Sequence, residues 1–123
     1  MDEYEEARER LTEDLRKSCE SLTVLGDPHR QRIILLLLEN RCYGLSVQEI
    51  TECVGLSRPA VSYHLKTLRQ AGILTMHRRG TSNLYCLDIQ SDVWHRLHDI
   101  TGEVCTVIDR IRANGFPIVP EER

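Results

Sequence analysis

Basic and hydrogen-bonding side chains are concentrated in one stretch of this 123-residue sequence. Residues 53–87 contain no acidic residue, yet they include five bases: Arg58, Lys66, Arg69, Arg78 and Arg79. Arginine and lysine bind phosphates, and polar side chains beside them can hydrogen-bond the edges of bases. The chemistry expected of this stretch is therefore recognition of a nucleic acid, although the whole chain has a formal net charge of −3.

The rest of the chain is acidic. Residues 1–20 hold eight acids and four bases, and residues 88–123 hold seven acids and four bases. Such an asymmetry is hidden by the overall charge. We expect the acidic remainder to repel DNA from every face of the protein except the basic one.

Two short helices separated by a tight turn are predicted to position the basic stretch. The first spans 46–54, where Ser46 and Glu49 have the spacing of a capping box. After Gly55-Leu56-Ser57 the second helix spans 58–71, with Ser57 as its N-cap. Its exposed face is predicted to present Ser57, Arg58, Ser62, Tyr63 and Lys66. A helix of this kind fits the major groove of DNA.

The remaining elements are a β-hairpin and three further helices, which makes the fold mainly α with five helices and a small hairpin. Strand patterns at 73–77 and 84–87 flank a polar tip that contains Arg78 and Arg79. A helix beginning at Asp27-Pro28 is apolar nearly all round in its second half, so it is predicted to be the buried central helix.

Helices predicted at 3–24 and 91–113 have apolar stripes that exceed what a single small core requires. We expect the surplus to be buried by pairing these terminal helices across a two-fold axis in a homodimer. Such a dimer places two recognition helices about one DNA turn apart, as a palindromic site requires.

The motifs together resemble the ArsR/SmtB family of bacterial repressors. The matching segments include Leu25 to Arg30, Ser46 to Ile50, Leu56 to Leu68, Ala71 to Leu74 and Leu84 to Leu87. The resemblance implies a single winged-helix domain over 1–123, with dimerisation helices at 1–25 and 91–114, a helix-turn-helix at 46–72 and a wing at 73–89. It also implies binding to double-stranded operator DNA that blocks transcription and is released by an inducer.

The residues predicted to contact DNA share exposure on the second helix or the wing. They are Ser57, Arg58, Ser62, Tyr63, His64, Lys66, Arg69, Arg78 and Arg79. Three of them have a second interpretation. Tyr63 could pack on the hairpin, His64 could pack or orient a neighbour, and Arg69 could be a solvated charge.

This sequence does not match two metal sites that occur in the family. Ser46 and Gln48 stand where one site has cysteines, while Trp94 and Ile108 stand where the other has metal ligands. No metal site or cofactor is predicted on these positions, although an inducing metal stays open. Some relatives sense oxidants through cysteines, and Cys19, Cys42 and Cys105 are the candidates for a thiol sensor. Cys53 is predicted to lie in the core and Cys86 to face outward.

Other classes of protein are disfavoured by the sequence. No nucleophile elbow, phosphate loop or paired acids indicate an enzyme. The apolar runs are too short to span a membrane and the acidic start lacks the features of a signal peptide, so we expect a cytoplasmic protein. The alternative function is a winged-helix protein-interaction module that does not bind DNA.

Overall fold

The computed structural model describes residues 2–40 and 43–115. Within them the chain forms five helices and a two-stranded antiparallel sheet. The elements are α1 (Glu3–Leu25), α2 (Pro28–Glu39), α3 (Val47–Val54), α4 (Arg58–Gln70), β1 (Leu74–Arg79), β2 (Ser82–Leu87) and α5 (Val93–Ala113). None of the helices in these ranges combines the length and apolar character needed to cross a membrane. The predicted sensor residue Cys42 lies outside the described residues.

The chain divides into two compact units. The helix-turn-helix unit consists of residues 20–94 and includes α2, α3, α4 and the hairpin. The terminal-helix unit consists of the segments up to residue 19 and from residue 95 onward, and so includes most of α1 and α5.

The helix-turn-helix unit has a dense aliphatic core. Its fully buried side chains come from α2, α3, α4 and the start of the hairpin. They are Ile33, Leu37, Ile50, Val61, Leu65, Leu68, Ile73 and Leu74. Side chains packed this closely hold α3 and α4 in one relative orientation. The orientation of the recognition helix is therefore fixed by the core beneath it.

Local capping confirms the predicted starts of α2, α3 and α4, whereas α5 begins at Val93 rather than at 91. Asp27 accepts hydrogen bonds from the backbone N–H groups of His29 and Arg30 at the start of α2. Ser46 and Glu49 form the complete capping box of α3, and Ser57 caps α4. Between the two helices Gly55 has φ = 70°, a left-handed conformation that glycine adopts without a side-chain clash.

The hairpin is tighter than the sequence predicted. Its strands pair from Leu74 with Leu87 to Arg79 with Ser82, so only Gly80 and Thr81 form the turn. Gly80 has φ = 63°, as the two-residue hairpin turns demand. Arg78 and Arg79 were expected in a loop, but they belong to β1 and are held in the ladder.

Two predictions about burial are wrong. The helix α2 is not buried all round, because Leu35 and Leu38 are exposed while Ile33, Ile34 and Leu37 are buried. Cys53 is exposed on α3 rather than in the core, since the buried face of that helix is formed by Ile50 and Val54.

The long helices have apolar side chains beyond those they bury. On α1, Leu15 and Leu22 retain 39% and 42% of their surface, and on α5, Trp94 and Ile108 retain 40% and 41%. Large aliphatic and aromatic side chains at this exposure are the usual mark of an interaction surface when they are contiguous.

Candidate nucleic-acid interface

The exposed face of α4 is continuous and contains no acid. At about 100° per residue, its seven exposed side chains fall within an arc of roughly 140°. They are Arg58, Pro59, Ser62, Tyr63, Lys66, Arg69 and Gln70. The opposite arc holds the buried Val61, Leu65 and Leu68. One side of the helix thus packs on the core, and the other offers hydrogen-bond donors and positive charge to solvent.

The N-terminal end of α4 is anchored by side-chain hydrogen bonds. The hydroxyl of Ser57 accepts a hydrogen bond from the backbone N–H of Ala60 at 3.3 Å. Arg58 Nη1 donates to Gln48 Oε1 on α3 at 3.3 Å, which draws the guanidinium toward the first helix. Free backbone N–H groups at this end of a helix favour a phosphate, and Arg58 lies beside them.

The C-terminal half of α4 brings further bases to the wing. Lys66 and Arg69 line a shallow depression with Thr75 of β1 and the carboxylate of Asp88. Arg69 Nη1 lies 4.0 Å from Met76 Sδ, so its guanidinium leans over the first strand. Both bases are exposed. This exposure is compatible with Arg69 either as a solvated charge or as a phosphate contact.

The wing presents its arginines at the end farthest from the core. Arg78 pairs with Asn83 and Arg79 with Ser82, next to the turn. All four side chains are exposed. A short polar hairpin tip of this kind can reach a phosphate backbone or a minor groove beside the major groove that α4 enters.

His64 lies apart from the exposed arc. Its half-buried ring accepts a hydrogen bond at Nδ1 from Arg30 Nη1, at 3.3 Å, because a guanidinium can only donate. Arg30 is itself buried and its Nε donates to the backbone oxygen of Val24 at 2.7 Å. This arrangement favours the orienting role for His64 over contact with a base. The neighbouring Tyr63 is exposed and meets the His64 ring edge-on, with ring centroids 5.5 Å apart.

The surroundings of His64 shift two pKa values. Burial lowers the pKa of the His64 imidazole, and the positive charge of Arg30 lowers it further, while Asp27 opposes both. Burial alone would raise the pKa of the Asp27 carboxyl, but the N–H groups of Arg30 and His29 that donate to it leave its pKa lowered. The two shifts therefore favour the neutral form of the imidazole and the ionised form of the carboxyl.

Sequence analysis did not identify Asp27, His29 and Arg30 as partners of His64. The signal was the segment Asp27 to Arg30, which was interpreted as a helix start only. Arg30 and His64 are separated by 34 positions, and only the packing of α2 against α4 brings them together.

The two candidate sensor cysteines that the structure describes are exposed, Cys19 on α1 and Cys105 on α5. The thiol of Cys19 donates to the backbone oxygen of Leu15 at 3.3 Å. Cys86 is half-buried, and its sulfur lies 3.6 Å from His77 Nδ1 on the paired strand.

Comparison with known proteins agrees with the architecture. The family model for bacterial regulatory proteins of the arsR family matches residues 27–75, which run from the cap of α2 to the start of β1. An uncharacterised helix-turn-helix-type transcriptional regulator of Methanocaldococcus jannaschii is 36% identical over 73 residues, covering 59% of this chain and 80% of the relative. The transcriptional repressor SdpR of Bacillus subtilis is 33% identical over 64 residues, covering 52% and 68%.

The fold is also that of a solved structure. A winged helix-turn-helix DNA-binding domain from Mycobacterium bovis, described as homodimeric and as a possible ArsR-family regulator, superimposes with a TM-score of 0.56. The match has 24% identity and covers 75% of this chain and 81% of that domain. Together with the basic face of α4 and the wing, these relationships show that the chain belongs to the arsR family of bacterial regulatory proteins and is a winged helix-turn-helix, DNA-binding transcriptional regulator.

Proposed function

We propose that the protein is a cytoplasmic homodimeric repressor that binds a palindromic operator through α4 and the wing, and that an inducer or a thiol modification releases it. It acts by binding rather than by catalysis. The observation that supports this most directly is the acid-free exposed arc of α4. Within this arc, Arg58 and Ser62 are proposed to contact bases, while Lys66 and Arg69 contact phosphates.

The proposed dimer rests on two apolar stripes that run side by side on α5. The inner stripe contains the buried Val93 and Ile100. The outer stripe lies within an arc of roughly 60° and is exposed: Trp94, Thr101, Cys105 and Ile108. On α1 a second exposed stripe contains Leu15, Cys19 and Leu22. Two copies that pair these stripes across a two-fold axis would remove them from water.

The decisive experiment compares operator and random DNA over a range of salt concentrations. The DNA upstream of the protein's own gene is titrated with the protein, and a scrambled duplex of equal length serves as the control. If each of the five bases in both chains contacts a phosphate, the slope of log affinity against log salt is roughly −9, and fewer contacts give a shallower slope. We expect a steep slope for both duplexes and tighter binding to the operator. Equal affinity for the two duplexes would overturn the proposal, and the absence of salt-dependent binding to either duplex would favour the protein-interaction alternative.

A single wing substitution tests the division of roles. Arg79→Ala removes one phosphate contact from each half of the dimer, so the salt slope should become shallower by about 1.8. Affinity for operator and random DNA should fall by the same factor, because phosphates have no sequence information. The matched control is Arg112→Ala on α5, which should leave both the affinity and the slope unchanged. A loss of operator preference in Arg79→Ala would contradict its assignment to phosphate.

For release, Cys105 is the thiol whose position suits the proposal best. It lies in the exposed outer stripe of α5, between Thr101 and Ile108. An oxidised or alkylated sulfur there would place a bulky polar group in the proposed interface, which should weaken the dimer and with it the operator complex. Cys19 has the corresponding position in the stripe on α1, and Cys42 remains a third proposed thiol.

Peroxide treatment of three proteins tests the thiol mechanism. We expect the wild type to lose operator affinity after oxidation and Cys105→Ser to retain it. Cys53→Ser is the matched control, because Cys53 is also exposed but lies on α3. If Cys105→Ser loses affinity as the wild type does, release does not depend on this thiol.

A further inference from the structure

A cluster of potential metal ligands lies at the start of α2, outside the proposed DNA-contacting arc. Asp27, His29 and His64 each offer one ligand atom, and the three atoms lie within 4.8 Å of one another. His29 Nδ1 is 3.6 Å from Asp27 Oδ1, and the rings of His29 and His64 stack with centroids 5.7 Å apart. We propose that Asp27, His29 and His64 form a site for a divalent transition-metal ion such as Zn²⁺ or Co²⁺.

The donor set suits such an ion. Two imidazole nitrogens and one carboxylate oxygen are a common set of three protein ligands for zinc, with water completing the coordination. Imidazole favours Zn, Co and Ni over Ca or Mg. A tetrahedral site with bonds near 2.1 Å places its ligand atoms roughly 3.4 Å apart, so atoms that lie within 4.8 Å of one another must approach by up to about 1.4 Å. His29 is able to make this movement, because its side chain is 55% exposed.

The Asp27 carboxylate is held in place by the backbone. Its Oδ1 accepts the N–H groups of His29 at 2.8 Å and of Arg30 at 3.2 Å. These bonds hold the carboxylate at the start of α2, beside His29. A ligand that the fold already orients binds metal at a smaller entropic cost than a freely rotating one.

Metal binding would alter the link between α2 and the recognition helix. The ring nitrogen Nδ1 of His64 accepts a hydrogen bond from Arg30 Nη1. A metal on Nδ1 takes the lone pair that Arg30 uses. A metal on Nε2 shifts the ring proton to Nδ1, which can then no longer accept. Coordination through either nitrogen therefore ends the Arg30–His64 hydrogen bond. The positive charge of the nearby guanidinium also opposes the binding of a metal cation.

Titration of the metal-free full chain with Co²⁺, without DNA, tests the site. We expect one Co²⁺ per chain with visible d–d absorption and no sulfur-to-metal charge-transfer band. His29→Asn and His64→Asn should each weaken binding at least tenfold. The matched control is His98→Asn on α5, where another exposed histidine lies beside Asp99, with Nδ1 3.9 Å from Oδ1. It should bind Co²⁺ as the wild type does.

A second measurement keeps the test independent of folding. One equivalent of Zn²⁺ should shift the ring NMR signals of His29 and His64 and leave those of His95 and His98 in place. The exposed His29→Asn variant decides the matter if His64→Asn fails to fold. The proposal is overturned by the absence of saturable binding of one equivalent, by unchanged affinity in His29→Asn, or by a charge-transfer band lost in Cys86→Ser, which would move the site to His77 and Cys86.

Discussion

The helix-turn-helix unit and the terminal-helix unit bury their apolar residues to very different extents. In the first, eight large aliphatic side chains are almost completely inaccessible to water. In the second, Leu15 and Ile108 keep two-fifths of their surface, at 39% and 41%, while Ala7 and Ile100 are among the few residues buried in the part of the unit that the structure describes. The comparison teaches that one unit buries its large apolar side chains within the chain, whereas the other leaves several of them exposed, as the proposed dimer requires.

The same division separates the charges. All bases of the acid-free stretch 53–87 belong to the helix-turn-helix unit, while residues 1–19 of the terminal-helix unit contain seven acids. A net charge averaged over the chain therefore describes neither unit. The basic stretch is suited to attract DNA, and we expect the acidic helices to repel it.

The largest effect should come from the core of the helix-turn-helix unit. Leu65→Ala removes a fully buried side chain beneath α4 and should lower the free energy of unfolding by about 3 kcal/mol. Urea denaturation at two protein concentrations checks this. Leu15→Ala on α1 is the matched control, and its smaller loss should depend on concentration if it acts through the dimer. Equal, concentration-independent losses would erase the distinction between the two units.

The next largest effect should come from the exposed apolar surface of the terminal-helix unit. Ile108→Glu places a charge in the outer stripe of α5 and should weaken dimerisation by about 2 kcal/mol or more, roughly a thirtyfold rise in the dissociation constant, because an unpaired carboxylate is costly to bury. Sedimentation equilibrium measures it. Leu35→Glu, at an exposed apolar position on α2, is the control and should leave the dimer intact. Dissociation caused by Leu35→Glu instead would move the interface to α2.

A smaller effect tests the contrast in charge. Arg58→Ala should reduce the preference for operator over random DNA by about 1–2 kcal/mol, since a guanidinium that hydrogen-bonds a base distinguishes sequences. Competition binding at one fixed salt concentration measures the preference. Arg110→Ala, which removes an arginine that pairs with Glu3 in the terminal-helix unit, should leave the preference unchanged. If both variants bind alike, the basic stretch has no special role.

Local features of the fold could be predicted from the sequence, because they depend on residues close together in the chain. The caps at Asp27, Ser46 and Ser57 are of this kind. The exposure of Leu35 could not be predicted, because a helix that is apolar on all sides gives no periodic signal of which face packs. Cys53 was misplaced because its hydrophobic character was given more weight than its position beside the stripe of Ile50 and Val54.

The candidate site was predictable to a similar degree. The arc of α4 follows from helical periodicity alone, which predicts Arg58, Ser62 and Lys66 on one exposed face. The role of His64 depends on Arg30, and this contact exists only in the folded chain. The sequence thus predicts exposed residues on one helix face better than residues whose role depends on a contact with a distant part of the chain.

The smallest expected effect concerns a carboxyl group in the terminal-helix unit. Burial raises the pKa of Glu103, and the adjacent Asp14 carboxyl raises it further, although Arg10 opposes the shift. A carboxyl whose pKa is raised on folding favours the folded state while it is protonated. That contribution is complete below the pKa of the unfolded chain and is lost as the pH rises through the folded pKa. At neutral pH the ionised Glu103 therefore destabilises the unit.

Glu103→Gln removes this titration without changing the shape of the side chain. We expect the variant to have a higher free energy of unfolding than the wild type at pH 7, and the difference should shrink as the pH falls toward the acid range. Urea denaturation over a pH series measures both. Glu9→Gln is the matched control on an exposed position of α1 and should follow the wild type. A difference that stays constant across the pH range would show that the charge of Glu103 is not the cause. A difference that narrows as expected would locate an unfavourable carboxylate charge at Glu103 in the terminal-helix unit.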